Sequence, residues 1–272
     1  MRKWEVESKD NQAFTLIELS IVVVVIALIV AGVVAGQSLV NQAKLRQTVN
    51  EVGLYKSAIT NFRLVYDQFP GDFDNAHAYW DDGADGVCGT LAQCNGNNNQ
   101  IYDSEGTDET SEHARAWQHM YLAGILTNFY DGVAVNASPQ TWSSVDLPHS
   151  ANGKTMWGLA STRERYIFQG TGETILKEYM ILNTGKIGGN GLGSNLTVQE
   201  AYNIDLKVDD GIANKGKAYG VDGNFPSPDA DGKCNTSECC SENGNVIGGA
   251  DYYTPNLASD INFCRMAFFL LR

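Results

Sequence analysis

The first 66 residues carry two hydrophobic patterns in succession. Residues 19–40 are apolar at almost every position, and about twenty such residues, at a rise of about 1.5 Å each, span the hydrocarbon core of a bilayer. From residue 45 onward, apolar side chains recur instead at spacings of three, four or seven, which is typical of an amphipathic helix. The pattern therefore predicts one long helix over residues 14–66, with a first half that is apolar enough to cross a membrane.

The end of this helix is predicted by a turn cluster, Gln-Phe-Pro-Gly-Asp, at residues 68–72. Proline disfavours helical geometry in the residue that precedes it, so the helix should end ahead of Pro70. A helix of this extent would be about 80 Å long. Such a length suits the spine of a fibre better than the fold of a compact enzyme.

Beyond the helix, polar segments alternate with short apolar runs. Residues 72–112 are poor in apolar side chains and rich in Asp, Asn and Gly, which predicts a loop. Three apolar runs predict strands, namely residues 165–168, 179–183 and 267–271. Together with the long helix, these strands indicate the α+β class.

Two further helices are predicted in this region. The first covers residues 111–126, with Ser111 as its N-cap and one apolar face formed by Ala114, Trp117, Tyr121 and Ile125. The second is a short helix over residues 196–202, which Asn195 or Thr197 could cap. We expect the first of them to pack against the domain core.

One carboxylate, that of Glu18, interrupts the apolar half of the long helix. Moving an unpaired carboxylate into a bilayer costs roughly 2.5–3.5 kcal/mol on insertion scales. An acid at this position therefore needs a function, and its natural partner is a positive charge that is formed nearby.

Residues 13–18, Ala-Phe-Thr-Leu-Ile-Glu, resemble the processing site of type IV prepilins and type II secretion pseudopilins. In that family a membrane peptidase cuts ahead of a Phe and methylates the new amine, which would make Phe14 the first mature residue. The resemblance implies that Glu18, then the fifth residue, pairs with the N-terminal amine of a neighbouring subunit during fibre assembly. Ala13 departs from the family, in which Gly usually precedes the cut.

An ordinary secretory signal is the alternative for the N-terminus, because it also has a basic start, an apolar core and small residues. Three features argue against it: the acid inside the apolar run, the polar residues ahead of Phe14, and the continuation into an amphipathic helix. The prepilin interpretation makes residues 1–13 a leader peptide and residues 14–66 the helix, with a membrane-spanning segment at about 19–40. Residues 67–272 would then form a globular domain outside the cytoplasm.

The same resemblance implies a pilin-like fold, in which the long helix packs on an antiparallel β-sheet with long disulfide-bonded loops. It implies a single-pass protein of the bacterial inner membrane, with a periplasmic C-terminal domain, that later enters a periplasmic or cell-surface fibre. The implied partners are the prepilin peptidase and methyltransferase and other pilin or pseudopilin subunits. Two internal stretches extend the likeness, a W-x-x-L/M-x-x-A-G-L type segment at residues 117–126 and an A-x-x-I-D-x-K-x-D-D-G type segment at residues 201–211.

The chain of 272 residues has 19 basic and 32 acidic side chains and a net charge of −13. Removing residues 1–13 deletes three side chains of each sign and leaves the net charge unchanged. Nucleic-acid binding draws its affinity from clustered Lys and Arg, so no broad nucleic-acid surface is expected. A local basic patch stays compatible with the sequence.

The chain has six cysteines, and disulfides are the default for an even number in a domain outside the cytoplasm. They allow fifteen connectivities, and proximity favours Cys88 with Cys94 and Cys264 with one of the other three, which are Cys234, Cys239 and Cys240. The second pairing would close a C-terminal loop like the disulfide-bounded region of many type IV pilins. Zinc is the alternative, but residues 234–240 lack a C-x2-C spacing and no His lies close.

Two regions could hold calcium, which prefers hard oxygen ligands. In residues 95–105 Asn and Asp alternate, but Gln100 replaces the central Gly of a calcium loop. The second region pairs Asp222 with Asp229 and Asp231. Asp209 and Asp210 could also coordinate a cation, although a side chain to backbone turn is the simpler role for these two residues. Pseudopilins hold calcium in surface loops, which supports this expectation, whereas a solvated turn is the alternative at each place.

No motif indicates an enzyme. The sequence has no H-E-x-x-H, G-x-S-x-G or P-loop, and its four histidines cannot be assembled into a triad from sequence, being His77, His113, His119 and His149. A structural subunit of a pilus or pseudopilus is therefore the primary hypothesis. The alternative is a membrane-tethered adhesin or ligand-binding module that uses the 72–112 loops, with or without calcium.

Overall fold

The computed structural model describes residues 15–80, 88–100, 102, 112–132, 147–150, 152–162, 179–186, 195–213, 216–222, 240 and 262–270. The chain divides into two compact units, Met1–Ala43 and Lys44–Arg272. Several predicted features lie outside the described residues, namely Ala13, Phe14, Ser111, the strand at 165–168, Cys234, Cys239, Asp229 and Asp231.

The elements occur in a mixed order along the chain, with helices first and strands later. They are α1 Leu16–Tyr66, α2 Ala76–Trp80, α3 Leu91–Cys94, α4 Glu112–Leu122, β1 Thr155–Thr162, β2 Tyr179–Lys186, β3 Leu196–Thr197, α5 Val198–Val208, β4 Ala218–Asp222 and β5 Asn262–Phe269. A long N-terminal helix with a small antiparallel sheet and disulfides is an α+β, pilin-like fold. This confirms the predicted fold class, and the helix ends at Tyr66 as predicted.

The first unit contains the apolar half of α1. Its large apolar side chains are exposed along the whole stretch from Leu16 to Val40. By length and composition, α1 is apolar enough there to cross a membrane, and none of its most apolar window is buried by the protein. Such a surface is covered by lipid or by another protein chain in a stable state of the molecule.

In the second unit, residues 44–66 of α1 bury one face and expose the other, which confirms the predicted amphipathic helix. The ring of Tyr55 packs edge-on against Trp117 of α4 and Trp157 of β1, with centroid distances of 5.0 and 5.6 Å. The buried face consists of Leu45, Thr48, Val52, Tyr55, Ala58, Ile59 and Phe62. The helix is thus attached both to α4 and to the sheet.

Two polar contacts fix the same helix on β1. The indole N–H of Trp157 donates to the Glu51 carboxylate over 2.8 Å. The buried Asn152 amide donates to the hydroxyls of Thr48 and Thr155, over 3.0 and 2.7 Å. Because buried polar groups are costly when unpaired, these contacts specify the register of α1 against the sheet.

The sheet is antiparallel and is organised around β5. β1 pairs with β2 from Thr155↔Lys186 to Thr162↔Tyr179, and β2 pairs with β5 from Ile181↔Phe269 to Asn183↔Ala267. β3 and β4 also pair with β5. The sequence pattern predicted β2 but missed β1 and β4, whose Gly, Ala and Ser residues weaken the strand signal.

Three predicted elements need correction. The 72–112 segment is not loop throughout, since it contains the short helices α2 and α3. The last strand is Asn262–Phe269 rather than residues 267–271, because its first half pairs with β3 and β4. The helix predicted at residues 196–202 begins only at Val198, since Leu196–Thr197 pair with β5, and it continues to Val208.

The start of α5 is set by a capping box. The Thr197 hydroxyl accepts a hydrogen bond from the Glu200 N–H, and the Glu200 carboxylate accepts one from the Thr197 N–H. This arrangement satisfies two amide groups that have no partner inside the helix. Of the two predicted caps, Asn195 and Thr197, the structure selects Thr197.

α4 is buried on nearly all sides, whereas the sequence predicted one apolar face. Its buried residues include four polar or charged ones, Glu112, Arg115, Gln118 and His119. These side chains bond to loop backbone: Asn97 N–H donates to Glu112, Arg115 donates to the Asn95 carbonyl, and Gln118 donates to the Asp131 carbonyl. The loops that cover the helix are distant in sequence, so the local pattern does not reveal them.

Candidate assembly site

The first turn of α1 holds the Glu18 carboxylate in a capping box. Oε2 of Glu18 accepts hydrogen bonds from the backbone N–H and from the hydroxyl of Thr15, each over 2.8 Å. In return, the Thr15 hydroxyl oxygen accepts the Glu18 N–H over 3.3 Å. Thr15 is thus the N-cap of α1, and Glu18 occupies the third helical position.

The capping box changes the expectation for Glu18. The apolar run around Glu18 predicts an unpaired carboxylate, but this carboxylate has two donors from its own chain and lies where the helix dipole favours a negative charge. Both bonds end on Oε2, and no hydrogen bond reaches Oε1 within the part of the chain that the structure describes. The site can therefore accept a further donor at Oε1 while the cap stays intact.

The T-x-x-E signature of a capping box is readable in the sequence at Thr15 and Glu18, as it is at Thr197 and Glu200. At the N-terminus this cap was not predicted, because the surrounding apolar residues emphasise the charge of Glu18 over its position in a helix start. The two predicted processing residues, Ala13 and Phe14, precede this box directly but lie outside the described residues.

The outer face of residues 44–66 offers a second surface for association. Leu54, Leu64 and Val65 are 56, 79 and 70% exposed. Leu54 and Val65 are eleven residues apart, which is about three helical turns, so they lie on the same side of the helix. Large apolar side chains exposed on one helix face are typical of a protein contact.

Three carboxylates lie together at the end of α5, and two of them belong to the predicted calcium ligands. Asp205, Asp209 and Asp210 each place an oxygen within 4.8 Å of the others, and Asp205 was not among the residues predicted from the sequence. Asp222 lies in β4 opposite Cys264.

Protein groups already engage these carboxylates. The Lys217 N–H donates to Asp209, and the Ile212 N–H donates to Asp210 over 2.9 Å. Lys56 is close enough to Asp209 to interact with its charge, while burial and the neighbouring Lys217 lower the pKa of Lys56. These contacts match the side chain to backbone turn that was the simpler alternative, and calcium binding stays a prediction.

Four cysteines among the described residues of the second unit form two disulfides. Cys88 is bonded to Cys94, and Cys240 is bonded to Cys264 of β5. These pairings are the ones that proximity favoured, and they leave those four sulfurs unavailable as zinc ligands.

Two histidines bind the backbone of the Cys88–Cys94 loop. The His77 ring contacts the Cys88 carbonyl through Nδ1 over 2.7 Å. His119 accepts the Gly71 N–H at Nδ1 over 2.8 Å and contacts the Cys94 carbonyl through Nε2 over 2.7 Å. A carbonyl only accepts, so Nε2 of His119 carries the proton. Burial lowers the His119 pKa to about 4, against the opposing effect of the Cys94 carbonyl.

One family model matches the chain. Residues 8–34 match the model described as the prokaryotic N-terminal methylation motif. The matched range contains Ala13, Phe14 and the capping box of Thr15 and Glu18, and it extends into the exposed apolar half of α1. No curated protein and no solved structure matches the chain.

Proposed function

Because the chain carries the prokaryotic N-terminal methylation motif, the hallmark of type IV pilins and pseudopilins, we propose that it is a structural subunit of such a fibre. In this proposal the prepilin peptidase cuts between Ala13 and Phe14 and methylates the new amine of Phe14. Subunits then leave the inner membrane and polymerise through α1. The motif belongs to structural proteins, which is consistent with a role outside catalysis.

One observation supports the proposal most strongly: the motif lies on a helix whose apolar half is exposed and is not buried by the rest of the described chain. The motif ends at residue 34, within the stretch in which every large apolar side chain is exposed. In the monomer this surface would lie in the inner membrane, across which α1 is long enough to pass once. In the fibre, contacts with other helices would replace the lipid.

Glu18 would guide the replacement of lipid contacts by contacts between subunits. After cleavage, the ammonium of Phe14 on one subunit and the carboxylate of Glu18 on the next would each be costly in an apolar core, and each would neutralise the other. The incoming ammonium would bind Oε1, since Thr15 holds Oε2. A single such pair in an otherwise apolar contact would fix the axial position of one subunit against its neighbour, as a buried polar pair fixes register in other helical assemblies.

The exposed face of residues 44–66 would extend the same contact beyond the membrane. Leu54, Leu64 and Val65 would pack against neighbouring subunits and gain burial that the isolated chain does not give them. The length of 272 residues fits a minor or specialised subunit, and Glu18 fits a position with a neighbour to pair with.

Two substitutions at residue 18 separate charge from capping. Glu18→Gln keeps an oxygen that can accept from Thr15 but removes the charge, whereas Glu18→Ala removes both. Each variant would be expressed in a strain that lacks the chromosomal copy, and sheared fibres would be analysed by electron microscopy and immunoblotting. We expect leader removal to persist in both variants and incorporation into fibres to fall at least tenfold in both.

Normal incorporation of Glu18→Gln would show that the charge pair is not needed. A deletion strain with intact fibres but defective adhesion would instead favour the membrane-tethered binding module. Loss of fibres on deletion, restored by the wild-type chain, is the result that the proposal predicts.

A further inference from the structure

The end of α1 and the short helix α2 bring three aromatic rings together at the surface of the second unit. The ring centroid of Tyr66 lies 5.6 Å from that of Tyr79 and 5.4 Å from that of Trp80, and Tyr79 lies 6.1 Å from Trp80. Tyr79 is 61% exposed, while Tyr66 and Trp80 are half-buried. We call these three residues the aromatic platform.

Two buried aromatic residues, Phe62 and Phe73, pack against the rings of the platform. The Phe73 ring lies 5.3 Å from Tyr66 and 5.4 Å from Tyr79, and the Phe62 ring lies 4.5 Å from Tyr66. Both phenylalanines are buried. Rings that are already fixed lose little conformational freedom when a ligand binds, so the platform is preorganised.

Three polar side chains, those of Gln68, Asp74 and Asn98, form a hydrogen-bonded row. The Gln68 amide N–H donates to Oδ1 of Asp74 over 3.1 Å, and the Asn98 amide N–H donates to Oδ2 over 3.4 Å. Gln68 follows Tyr66 by two residues and Asp74 follows Phe73 directly, so two members of the row are neighbours of the aromatic cluster along the chain. Asp74 and Asn98 are exposed.

The loop that carries Asn98 is also fixed. The buried Asp72 carboxylate accepts the N–H groups of Asn99 and Gln100, over 3.0 and 2.7 Å, and its carbonyl accepts the Asn98 N–H over 3.0 Å. Asn98 itself has a φ of 56°, a conformation that costs energy for a residue with a side chain. A strained residue held by a buried carboxylate presents its amide in a defined position.

From this arrangement we propose that the aromatic platform and its polar row bind an uncharged hexose ring of a glycan. A hexopyranose has an apolar C–H face, which stacks on an aromatic ring, and a rim of hydroxyl groups, which bond to carboxylates and carboxamides. The accessible face of Tyr79 supplies the first contact. Asp74, Gln68 and Asn98 supply the second, and such a combination of aromatic and converging polar groups is typical of small-ligand sites.

Other ligand classes fit less well. A quaternary ammonium group binds within a cage of aromatic rings, but the rings of the platform contact each other and leave no space between them. An anionic group would face the Asp74 carboxylate and a chain with a net charge of −13. An apolar helix from another subunit would leave the polar row without matching donors and acceptors.

Saturation-transfer NMR on the full chain, in micelles of a detergent without a sugar headgroup, tests this site. The probes are the methyl β-glycosides of glucose, galactose and N-acetylglucosamine. Chitohexaose is added to compare binding of a sugar within a glycan chain with binding of a single sugar unit. We expect saturable transfer to the ring C–H protons of at least one glycoside. Tyr79→Ala should weaken binding at least tenfold, and Tyr79→Phe, which keeps the stacking face, should stay within about threefold of the wild type.

Two further variants keep the test decisive. Asp74→Ala removes an exposed carboxylate together with its hydrogen bonds to Gln68 and Asn98 and should weaken binding, whereas Leu206→Ala, which removes an exposed apolar side chain of α5, should not change it. Absence of saturation transfer from the wild-type protein to every one of the probes would overturn the inference, as would full affinity in both Tyr79→Ala and Asp74→Ala. Loss of fibres in Tyr79→Ala, without glycoside binding by the wild type, would identify a subunit contact and also overturn it. The fibre assay of Glu18→Gln does not depend on this result.

Discussion

The Glu18 carboxylate accepts both the backbone N–H and the hydroxyl of Thr15, each over 2.8 Å. In the single chain, the Glu18 side chain therefore already caps the start of its own helix. The same side chain satisfies an amide at the helix start and, in the proposed fibre, would receive an ammonium at its other oxygen. This double use explains how an acid can be kept in an apolar segment both before and after assembly.

The capping role of Thr15 predicts a local effect on α1. Thr15→Ala removes the oxygen that accepts the Glu18 N–H and should weaken the first turn by about 1 kcal/mol. That corresponds to about fivefold faster amide hydrogen exchange in the first helical turn. Thr15→Ser keeps the hydroxyl and serves as the control, measured by NMR in the same micelles. Equal exchange rates in the two variants would contradict the cap.

His119 predicts a loss of stability at acid pH. Its imidazole binds a proton near pH 6.5 in the unfolded chain, but burial lowers the pKa to about 4 in the folded protein. Between these values the unfolded state holds more protons, so the free energy of unfolding decreases as the pH falls. The full effect is roughly 3 kcal/mol, present above pH 6.5 and lost by pH 4.

Chemical denaturation followed by near-ultraviolet circular dichroism, at several pH values, measures this dependence. His119→Gln is the matched variant, because Gln stays uncharged over the whole range and can still form a hydrogen bond. It should be less stable than the wild type at pH 7 and have a flatter pH dependence between pH 6.5 and 4. Parallel curves for the two proteins would show that His119 does not titrate as proposed.

The backbone conformation and surroundings of Gly216 predict that this position does not tolerate a side chain. It has a φ of +83°, and a Cβ at this position would overlap the Asp209 carboxylate, which accepts the Lys217 N–H. Gly216→Ala should therefore destabilise the protein by about 2–4 kcal/mol, through backbone strain and displacement of Asp209.

Gly153 provides the control for strain alone. Its φ is +74°, but a Cβ there would meet open space, so Gly153→Ala should cost only about 1–2 kcal/mol.

Gly53, inside α1 with open space around it, should tolerate Ala with a gain of up to about 1 kcal/mol. The midpoints of denaturant unfolding report all three, and a smaller loss at Gly216 than at Gly153 would refute the proposed contact with Asp209.

The sequence predicted those features that depend on neighbouring residues. The apolar run before residue 40 and the periodic pattern after it predicted α1, because helix periodicity is a local property. Thr197, one of the two predicted caps of α5, and the Cys88–Cys94 pair were likewise found from short spacings. The capping box of Thr15 obeys the same local rule and could have been found in the same way.

Features that depend on distant segments could not be predicted in this way. α4 has polar residues on several faces, and only the loops that pack on it show that Arg115 and His119 are buried. The aromatic platform combines the end of α1 with α2, and its polar row adds Asn98 from a third segment. Such clusters arise from tertiary contacts, which a one-dimensional pattern does not contain.

Mass spectrometry of the N-terminal peptide of the native protein tests the central claim most directly. The chain would be isolated from its own membrane and from sheared fibres, and its first peptide would be sequenced by fragmentation. The account predicts a mature chain that begins at Phe14 and carries a methyl group on its α-amine. A native chain that keeps residues 1–13, or one that is cut at a site other than Ala13 and Phe14, would contradict it.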